Sequence, residues 1–424
     1  MIDKNLQVYG EEIRNREFVT AVYHLELPKE QDIIKKASAL AVGQTVGTWV
    51  PIPGMTEEIR EKNMGKVVRI FDVPSQDLFT QIQEEKRHYI VEIAYPAINL
   101  SDDFPMLLTA LLGNDASTSA QVKLLDIEFP EAFVKNFPGP KFGVPGIRKI
   151  LHVKRRPLLL NMIKPCTGLT PEQGAKVFYD VAMGGVDIIK DDELLGNTEY
   201  SHPWDRVKAY KQASKAVFER TGKKVVYMVN VTDGARTIGN TIKRVLENGA
   251  EMIMLNISAL GYSLFKKIAE EIPVPVMAHN AGVGMFYEGT RSGMSSPLAA
   301  GKLIRLVGAD MVMINTPYGG YPLEHSKYIQ ILQKLLLPYY SIRPSLPVIG
   351  GGVHPGIVKK YIQEVGRDMI LAAGGSIIGH PMGAKAGSKA MGEAITAAMA
   401  EVPLKEAAKE SKELKVALEC WGEE

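Results

Sequence analysis

Short apolar runs recur along the last two thirds of the chain, and helical sequence follows each one. Such runs are typical of parallel strands that are buried on both faces beneath helices. Eight of them occur, at residues 157–163, 186–190, 224–230, 251–256, 274–279, 309–315, 346–351 and 368–375. Eight βα units over about 220 residues predict a (β/α)8 TIM barrel. The alternative is a doubly wound sheet, which usually carries a GxGxxG fingerprint after an early strand. This sequence has no such fingerprint.

The N-terminal third has a different pattern, in which strands and helices are interleaved without regular alternation. Strands are predicted at 18–27, 66–73, 89–96 and 122–129, and helices at 31–44 and 103–113. A Pro/Gly-rich stretch at 138–146 marks a boundary. We therefore predict an α/β protein, with an N-terminal α+β (ferredoxin-like) domain over 1–137 and a barrel domain with C-terminal helices over 138–424.

Composition narrows the class of protein. A length of 424 residues with 46% apolar and 23% charged residues is typical of a soluble protein of about two domains. The net charge of +2 is spread along the chain, which favours a small-molecule partner and excludes a nucleic-acid or membrane partner. Two cysteines without metal-ligand spacing, no signal peptide and no membrane-length apolar run predict a cytoplasmic protein.

Polar residues stand where the predicted barrel strands end. They are Lys164, Lys190, Asn230, Asn256, His279 and Asn315, with glycines at 350–352 and 374–375. In a TIM barrel, the chemistry lies at the C-terminal ends of the strands. A barrel built only for stability does not need two lysines, a histidine and three amides at one rim. We interpret this rim as an active site.

The stretch GGVDIIKDDE (184–193) brings a lysine and three acids to the end of one strand. Alternation gives Lys190 and Asp192 the same orientation, with Glu193 just beyond. Two carboxylates suit Mg²⁺, whereas a cationic lysine would repel it. The conflict disappears if Lys190 is neutral or reacts with CO₂ to form an anionic carbamate. The alternative is a solvated charge cluster whose Lys–Asp pair is worth at most about 1 kcal/mol.

Three further features of the rim suggest roles. Glycine backbone can approach an anion closely, and many barrels bind phosphate after strands seven and eight, although tight turns alone would also need glycine. Lys164 precedes Pro165 at a strand end. A lysine close to a metal and other cations can have a lowered pKa and act as an acid or base. Taken singly, Lys164 would be a surface lysine and His279 a structural histidine.

Several motifs, in order and in spacing, resemble the large-subunit family of ribulose-bisphosphate carboxylase (RuBisCO). They are GTW (47–49), IKPCTGL (163–169), GGVDIIKDDE (184–193), GGGVHPG (350–356) and AAGGSIIGHPMG (372–383). The resemblance covers nearly the whole chain. It implies a Mg²⁺ site formed by a carbamate on Lys190 together with Asp192 and Glu193. It also implies that Lys164 and His279 move protons around an enediolate.

The resemblance further implies a homodimer without a small subunit. Thr48, Trp49 and Asn114 of one chain would complete the site of its neighbour. One phosphate of the substrate would be bound by six of the residues in these motifs, which are Thr48, Trp49, Gly351, Gly352, Gly374 and Gly375.

The sequence departs from the carboxylase pattern at five places. Gly43 replaces a glutamate, Asn280 an arginine, Met313 a histidine and Gly350 a serine, and the loop NTPYGGYPLEH (315–325) lacks a lysine. The metal site and one phosphate site are therefore kept, whereas bisphosphate binding and carboxylation are lost. This is the pattern of the RuBisCO-like proteins (form IV).

Within that group, PGPKFGVPGIRK, MAHNAG and TPYGG are similar to the 2,3-diketo-5-methylthiopentyl-1-phosphate enolases of methionine salvage. An apolar bed for the thioether tail of their substrate is suggested at Met285, Phe286, Met313 and Tyr318, which would otherwise be core residues. Those enolases place a proton-abstracting lysine where LLTALLGN ends in Asn114. The base here would be Lys164 or the carbamate, on a different substrate.

We therefore predict a Mg²⁺-dependent enolase or isomerase that removes a proton α to a carbonyl of a phosphorylated keto-sugar-like compound. Three alternatives stay open. The first is decarboxylation of a phosphorylated β-keto acid, and the second is carboxylation of ribulose bisphosphate. The third is a non-catalytic phosphosugar-binding protein.

Overall fold

The computed structural model describes residues 3–14, 17–47, 52–78, 82 and 84–423. Two compact units are present. The first contains residues 1–138 and 283–299, and the second contains 139–282 and 300–424. The described part of the chain has no helix that is both long and apolar enough to span a bilayer.

The first unit is built on a five-stranded sheet. Its strands are β1 (Phe18–Pro28), β2 (Lys66–Val73), β3 (Lys86–Pro96), β4 (Lys123–Glu128) and β10 (Gly293–Met294), in the order β10-β4-β1-β3-β2. The first four pair antiparallel in the βαββαβ arrangement of a ferredoxin-like fold, as predicted. Strand β10 follows the fifth barrel strand and pairs parallel with β4. The helices of this unit are Gly10–Ile13, Ile33–Gly43, Glu57–Asn63, Ala97–Asn99, Phe104–Leu112, Asp115–Ala120, Glu131–Val134 and Gly284–Tyr287.

Alternation along β1 explains how this sheet packs. Every second residue from Val19 to Leu27 is buried, and the residues between Ala21 and Leu27 that face the other way are partly exposed. The buried Tyr23 hydroxyl donates to the carbonyl of Leu111 and lies 2.9 Å from the Tyr95 hydroxyl. The helix Phe104–Leu112 is thereby fixed to the sheet.

The second unit is a closed barrel of eight parallel strands, which confirms the prediction. Around the barrel they run β5 (Leu158–Met162), β6 (Ile188–Lys190), β7 (Val226–Asn230), β8 (Met252–Asn256), β9 (Val276–His279), β11 (Met311–Ile314), β12 (Leu346–Gly350) and β13 (Ile370–Ala372). Its helices are Gly143–Leu151, Pro171–Ala182, Pro203–Thr221, Ile238–Glu247, Ile257–Leu260, Tyr262–Glu271, Leu303–Leu306, His325–Leu336, Pro355–Ile357, Val358–Val365, Gly375–Ile378, Ala384–Met399, Leu404–Ala407 and Lys412–Trp421. A π-helical turn, Leu298–Lys302, lies where the chain passes from the first unit into the second.

Inward-facing side chains fill the barrel. Methionines predominate among them, at positions 228, 252, 254, 277, 311 and 313. The helix Gly143–Leu151 adds Val144, Ile147 and Leu151 to the same cluster from the N-terminal end of the strands. Because this packing closes the N-terminal end, polar chemistry is confined to the other end of the barrel.

Candidate active site at the C-terminal rim of the barrel

Strand β6 delivers its lysine into the barrel and its acids to the rim. Lys190 is 1% exposed, and its Nζ donates to the backbone carbonyl of Asp191 at 2.9 Å. Burial lowers the pKa of Lys190, although the carboxylates of Glu193, Asp192 and Asp191 oppose this effect. The neutral amine is therefore favoured more than in water, and this is the form that can react with CO₂.

Lys164 forms an ion pair with Asp192. Its Nζ lies 2.6 Å from Asp192 Oδ2 and 3.0 Å from the sulfur of Cys166. Burial lowers the pKa of Lys164, but the hydrogen bonds to Asp192 and Cys166 outweigh burial, so the pKa is raised overall. In this arrangement, the hydrogen bonds to Asp192 and Cys166 thus favour the protonated form of Lys164. Burial raises the pKa of Asp192, but the hydrogen bonds from Lys164 and the Leu194 N–H, together with the charges of Lys164 and Lys190, lower it overall.

Asp191 points away from the barrel interior, and its partners could not be predicted from the sequence. It accepts from Tyr227 Oη at 2.6 Å, from the backbone N–H of Asn230 at 2.9 Å and from Arg206 Nε at 3.2 Å. Arg206 is fully buried and donates to four backbone carbonyls around the site, those of residues 195, 196, 201 and 230. This network ties the segment after β6 to β7 and to the helix Pro203–Thr221.

Glu193 and His279 meet at the rim. Their Oε2 and Nε2 atoms are 3.5 Å apart, and His279 is 7% exposed. His279 Nδ1 accepts from the N–H of Ala281 at 3.2 Å, so the imidazole proton of the neutral ring is assigned to Nε2. Burial, together with the charges of Lys190 and Lys164, lowers the pKa of His279 to about 3, which keeps the ring neutral.

Two rim asparagines hold the backbone of the acidic segment. Asn230 Nδ2 donates to the carbonyls of Asp192 and Glu193 at 3.3 and 3.2 Å, and Asn256 Nδ2 donates to that of Glu193 at 2.9 Å. Asn256 Oδ1 is buried and has no hydrogen-bond partner among the described residues. A buried acceptor of this kind is open to a water, an ion or a ligand.

The glycines after β12 and β13 border the same rim. Gly351 and Gly352 adopt φ values of 89° and 73°, which favour glycine. A Cβ on Gly374 would lie 2.8 Å from Met162 Sδ, whereas one on Gly375 would meet nothing within 4 Å. The backbone at Gly375 is therefore approachable.

The residues that depart from the carboxylase pattern are each matched to a neighbouring side chain. A Cβ on Gly350 would lie 2.7 Å from Met313 Sδ, so the thioether occupies the space that a side chain at 350 would need. A Cβ on Gly43 would collide with the carboxylate of Asp115, a residue that sequence reasoning did not single out. In the barrel, Asn280 Nδ2 donates to Asn315 Oδ1 at 3.0 Å.

The remaining residues of the prediction lie in either unit or outside the described residues. Asn114 is exposed and directly precedes the π-helical turn Asp115–Ala120. Thr48 and Trp49 fall outside the described residues. Of the suggested apolar bed, Met313 and Tyr318 belong to the barrel, and Met285 and Phe286 belong to a helix of the first unit.

The donor set at the end of β6 fits a divalent cation. Asp192 and Glu193 supply the carboxylate oxygens that Mg²⁺ prefers. In the described part of the chain, no three His, Cys, Asp or Glu side chains form a group that could hold a metal. A cation bound at this point would therefore need a further donor, and a carbamate on Lys190 would provide one.

Comparisons with known proteins agree with this geometry. Residues 9–133 match the N-terminal domain, and residues 143–421 the catalytic domain, of the ribulose bisphosphate carboxylase large chain. A ribulose bisphosphate carboxylase-like protein of Archaeoglobus fulgidus is 41% identical over 94% of this chain and 91% of its own. A 2,3-diketo-5-methylthiopentyl-1-phosphate enolase of Geobacillus kaustophilus is 38% identical over 95% of this chain and 98% of its own.

Solved structures agree as well. A rubisco-like protein (MtnW) of Alicyclobacillus acidocaldarius superposes with a TM-score of 0.89 at 35% identity, over 96% of this chain and 100% of its own. A dimeric archaeal Rubisco of Hyperthermus butylicus superposes with a TM-score of 0.86 at 29% identity, over 96% of each chain. The resemblance read from the motifs is confirmed: this chain belongs to the ribulose bisphosphate carboxylase large-chain family, as a RuBisCO-like protein.

Proposed function

We propose that this chain is a Mg²⁺-dependent enolase that removes a proton α to a carbonyl of a phosphorylated keto-sugar-like substrate. The observation that carries the proposal is the convergence of two lysines, two acids and a histidine at one rim. Lys164 lies 2.6 Å from Asp192, and His279 lies 3.5 Å from Glu193. Relatives named 2,3-diketo-5-methylthiopentyl-1-phosphate enolase support that compound as the first substrate to test.

Lys190 as a carbamate, Asp192 and Glu193 would hold the metal. When bound, Mg²⁺ would supply positive charge beside the substrate oxygens on which negative charge develops. Gly351, Gly352, Gly374 and Gly375 would bind the phosphate through backbone N–H groups, which positions the reacting carbons. His279, neutral and protonated at Nε2, would donate a hydrogen bond or a proton at the rim.

Lys164 or the carbamate on Lys190 would be the general base. Lys164 is held as an ammonium group by Asp192, so it must lose a proton before it can act as a base. The carbamate would bear oxygens that can accept a proton directly. Two variants distinguish these bases. Lys164→Met removes one candidate base, and Lys190→Ala removes the other together with a metal ligand.

A homodimer with shared sites is part of the proposal. A dimeric archaeal Rubisco is among the similar structures, which supports it. Asn114→Ala and Lys190→Ala variants, each inactive alone, would regain about a quarter of the wild-type activity when mixed subunits form heterodimers with one intact site. A mixture that stays inactive after subunit exchange has been demonstrated would count against sharing.

The direct test is Mg²⁺-dependent C–H exchange in D₂O, followed by NMR on phosphorylated diketones and ketoses. Lys190→Ala should abolish exchange, and Lys223→Ala is the matched control, because Lys223 pairs with Asp187 in the same unit at 3.1 Å. Exchange that survives Lys190→Ala would contradict the metal site. Release of CO₂ from β-keto acids, or ¹⁴C-bicarbonate fixation into ribulose bisphosphate, would replace the proposal with one of the alternatives.

Metal binding can be measured without turnover. Mg²⁺ and bicarbonate together should raise the melting temperature, and neither should do so alone, because the carbamate and the ion complete one site. Equal stabilisation by Mg²⁺ alone would argue against the carbamate.

A further inference from the structure

The loop after β11 rests directly on the glycines after β12. A Cβ on Gly319 would lie 2.6 Å from the carbonyl oxygen of Gly351. A Cβ on Gly352 would lie 3.0 Å from both Gly319 Cα and the Tyr318 carbonyl oxygen. The two backbones therefore touch without intervening side chains, and a shift of one displaces the other.

Tyr318 anchors this loop to the helix Val358–Val365. Its hydroxyl donates to Glu364 Oε1, and the same oxygen lies 3.3 Å from His325 Nε2. The Tyr318 ring packs edge-on against Tyr361, with centroids 5.7 Å apart, and Lys360 Nζ lies 3.8 Å from the ring centroid.

The loop backbone is held as well. Tyr318 N–H donates to Thr316 Oγ1 at 3.2 Å, and the hydroxyls of Tyr361 and Thr316 are 3.0 Å apart. The helix that carries Glu364 and Tyr361 comes next in the chain after the glycines and the turn Pro355–Ile357. The β11 loop therefore packs on the glycines after β12, these glycines lead through the turn into the helix Val358–Val365, and the helix is hydrogen-bonded back to the loop.

Glu364 makes these contacts at a cost. Its Oε2 is buried and has no hydrogen-bond partner among the described residues. A buried carboxylate oxygen without a partner is unfavourable. A glutamine or a leucine would suit the helix and would avoid the buried charge. The hydrogen bond from Tyr318 explains why a glutamate occupies position 364.

We propose that Tyr318, tethered by Glu364, is a positioning residue that holds the β11 loop against Gly351 and Gly352 and so fixes the backbone that binds the substrate phosphate. The inference rests on the proposed function, because it assigns the phosphate to these glycines. Beyond that function, residues that do not touch the phosphate control the affinity for it.

Tyr318→Phe removes only the hydroxyl. We expect the dissociation constant for inorganic phosphate, measured by calorimetry, to rise about fivefold or more, the size of one lost hydrogen bond. With an exchanging substrate, KM should rise by a similar factor while kcat stays within about twofold, because uniform binding is lost. Tyr179→Phe is the matched control, since it removes a hydroxyl that accepts from Arg220 at 2.7 Å on a barrel helix.

The tether can be isolated with a double-mutant cycle. Glu364→Gln keeps an acceptor and should bind phosphate nearly as well as the wild type, whereas Glu364→Ala should match Tyr318→Phe. The double variant should be no weaker than either single variant, because both remove one contact.

Every result of these measurements either supports or overturns the role of Tyr318. Unchanged phosphate binding in a folded Tyr318→Phe protein would overturn the inference, as would an equal loss in Tyr179→Phe. Absence of phosphate binding in the wild type would overturn it together with the phosphate assignment. A wild type that binds phosphate but exchanges no proton would contradict the enolase proposal alone.

Discussion

The two ends of strand β6 use the same kinds of charged residue in opposite ways. At the start, Asp187 accepts from both ends of the Arg156 guanidinium at 2.7 Å, from the Leu159 N–H at 2.8 Å, and lies 3.1 Å from Lys223. At the end, Lys190 makes its hydrogen bond to a backbone carbonyl instead of a carboxylate. The first arrangement fully pairs a buried charge, and the second leaves reactive groups for other partners.

The two kinds of site lie at opposite ends of the barrel strands. Asp310, at the start of β11, is also buried and accepts instead from the N–H groups of Phe142, Gly143 and Val276. These carboxylates join strands to the elements beneath them. At the rim, Asp191 joins its strand to a neighbouring element in the same way, through Arg206. Lys190, Asp192 and Glu193 are thereby left for chemistry.

The largest effect should come from Lys190→Met. We expect proton exchange to fall by at least about 10³-fold. Because burial already disfavours the charged amine, the free energy of unfolding should change by less than about 1 kcal/mol. Exchange rates and urea unfolding measure the two quantities. A large loss of stability with exchange retained would reverse the assignment of function to this end of β6.

Arg206→Met should be the most destabilising change at the rim. It leaves Asp191 buried with its charge unpaired and frees several carbonyls, which costs roughly 3–5 kcal/mol. Urea unfolding gives the value. The double variant Arg206→Met/Asp191→Leu should recover part of the loss, since no buried charge is left uncompensated. A cost under about 1 kcal/mol for Arg206→Met would mean that the network is not a support for the site.

Asp187→Asn should cost roughly 2 kcal/mol of stability, less than Arg206→Met, because Arg156 and Lys223 are partly exposed and can be solvated. Exchange per folded molecule should be unchanged. Loss of exchange in the folded variant would break the division between the two ends of the strand.

The same residue predicts a pH dependence. Burial raises the pKa of Asp187, but Arg156 and Lys223 outweigh burial and hold the pKa below its usual range. A lowered pKa in the folded state gives stability above the unfolded pKa of about 3.9, and this stability is lost as the pH falls through the folded value. Stability between roughly pH 5 and pH 2 should therefore fall less steeply in Asp187→Asn than in the wild type. Equal slopes would contradict the shift.

Gly350→Ser should destabilise the barrel by about 1–3 kcal/mol, less than Arg206→Met, because its Cβ would meet Met313 Sδ. Met313→Ala in the same chain should relieve part of this cost, whereas the two effects would simply add if the residues were independent. Thermal unfolding of the two single variants and the double variant measures the coupling. Additive effects would show that the two departures from the carboxylase pattern are unrelated.

The sequence is sufficient to predict the barrel, because eight apolar runs followed by helical sequence admit few other folds. It also determined that Lys164, Lys190, Asp192, Glu193 and His279 share one rim, since strand ends in a closed parallel barrel must meet. The ferredoxin-like unit followed from alternation in β1 and from the order of the strands.

The partners of these side chains, in contrast, depend on how distant segments pack together. Arg206 lies fifteen residues after Asp191, on a helix whose pattern does not show which side chain turns inward. The direction of the Lys164 pKa shift depends on competition between burial and a 2.6 Å ion pair, and the contact between Met313 and Gly350 depends on the rotamer of a methionine. Pattern in a sequence fixes which face a residue occupies, whereas distances across that face arise from packing between segments that are remote in the chain.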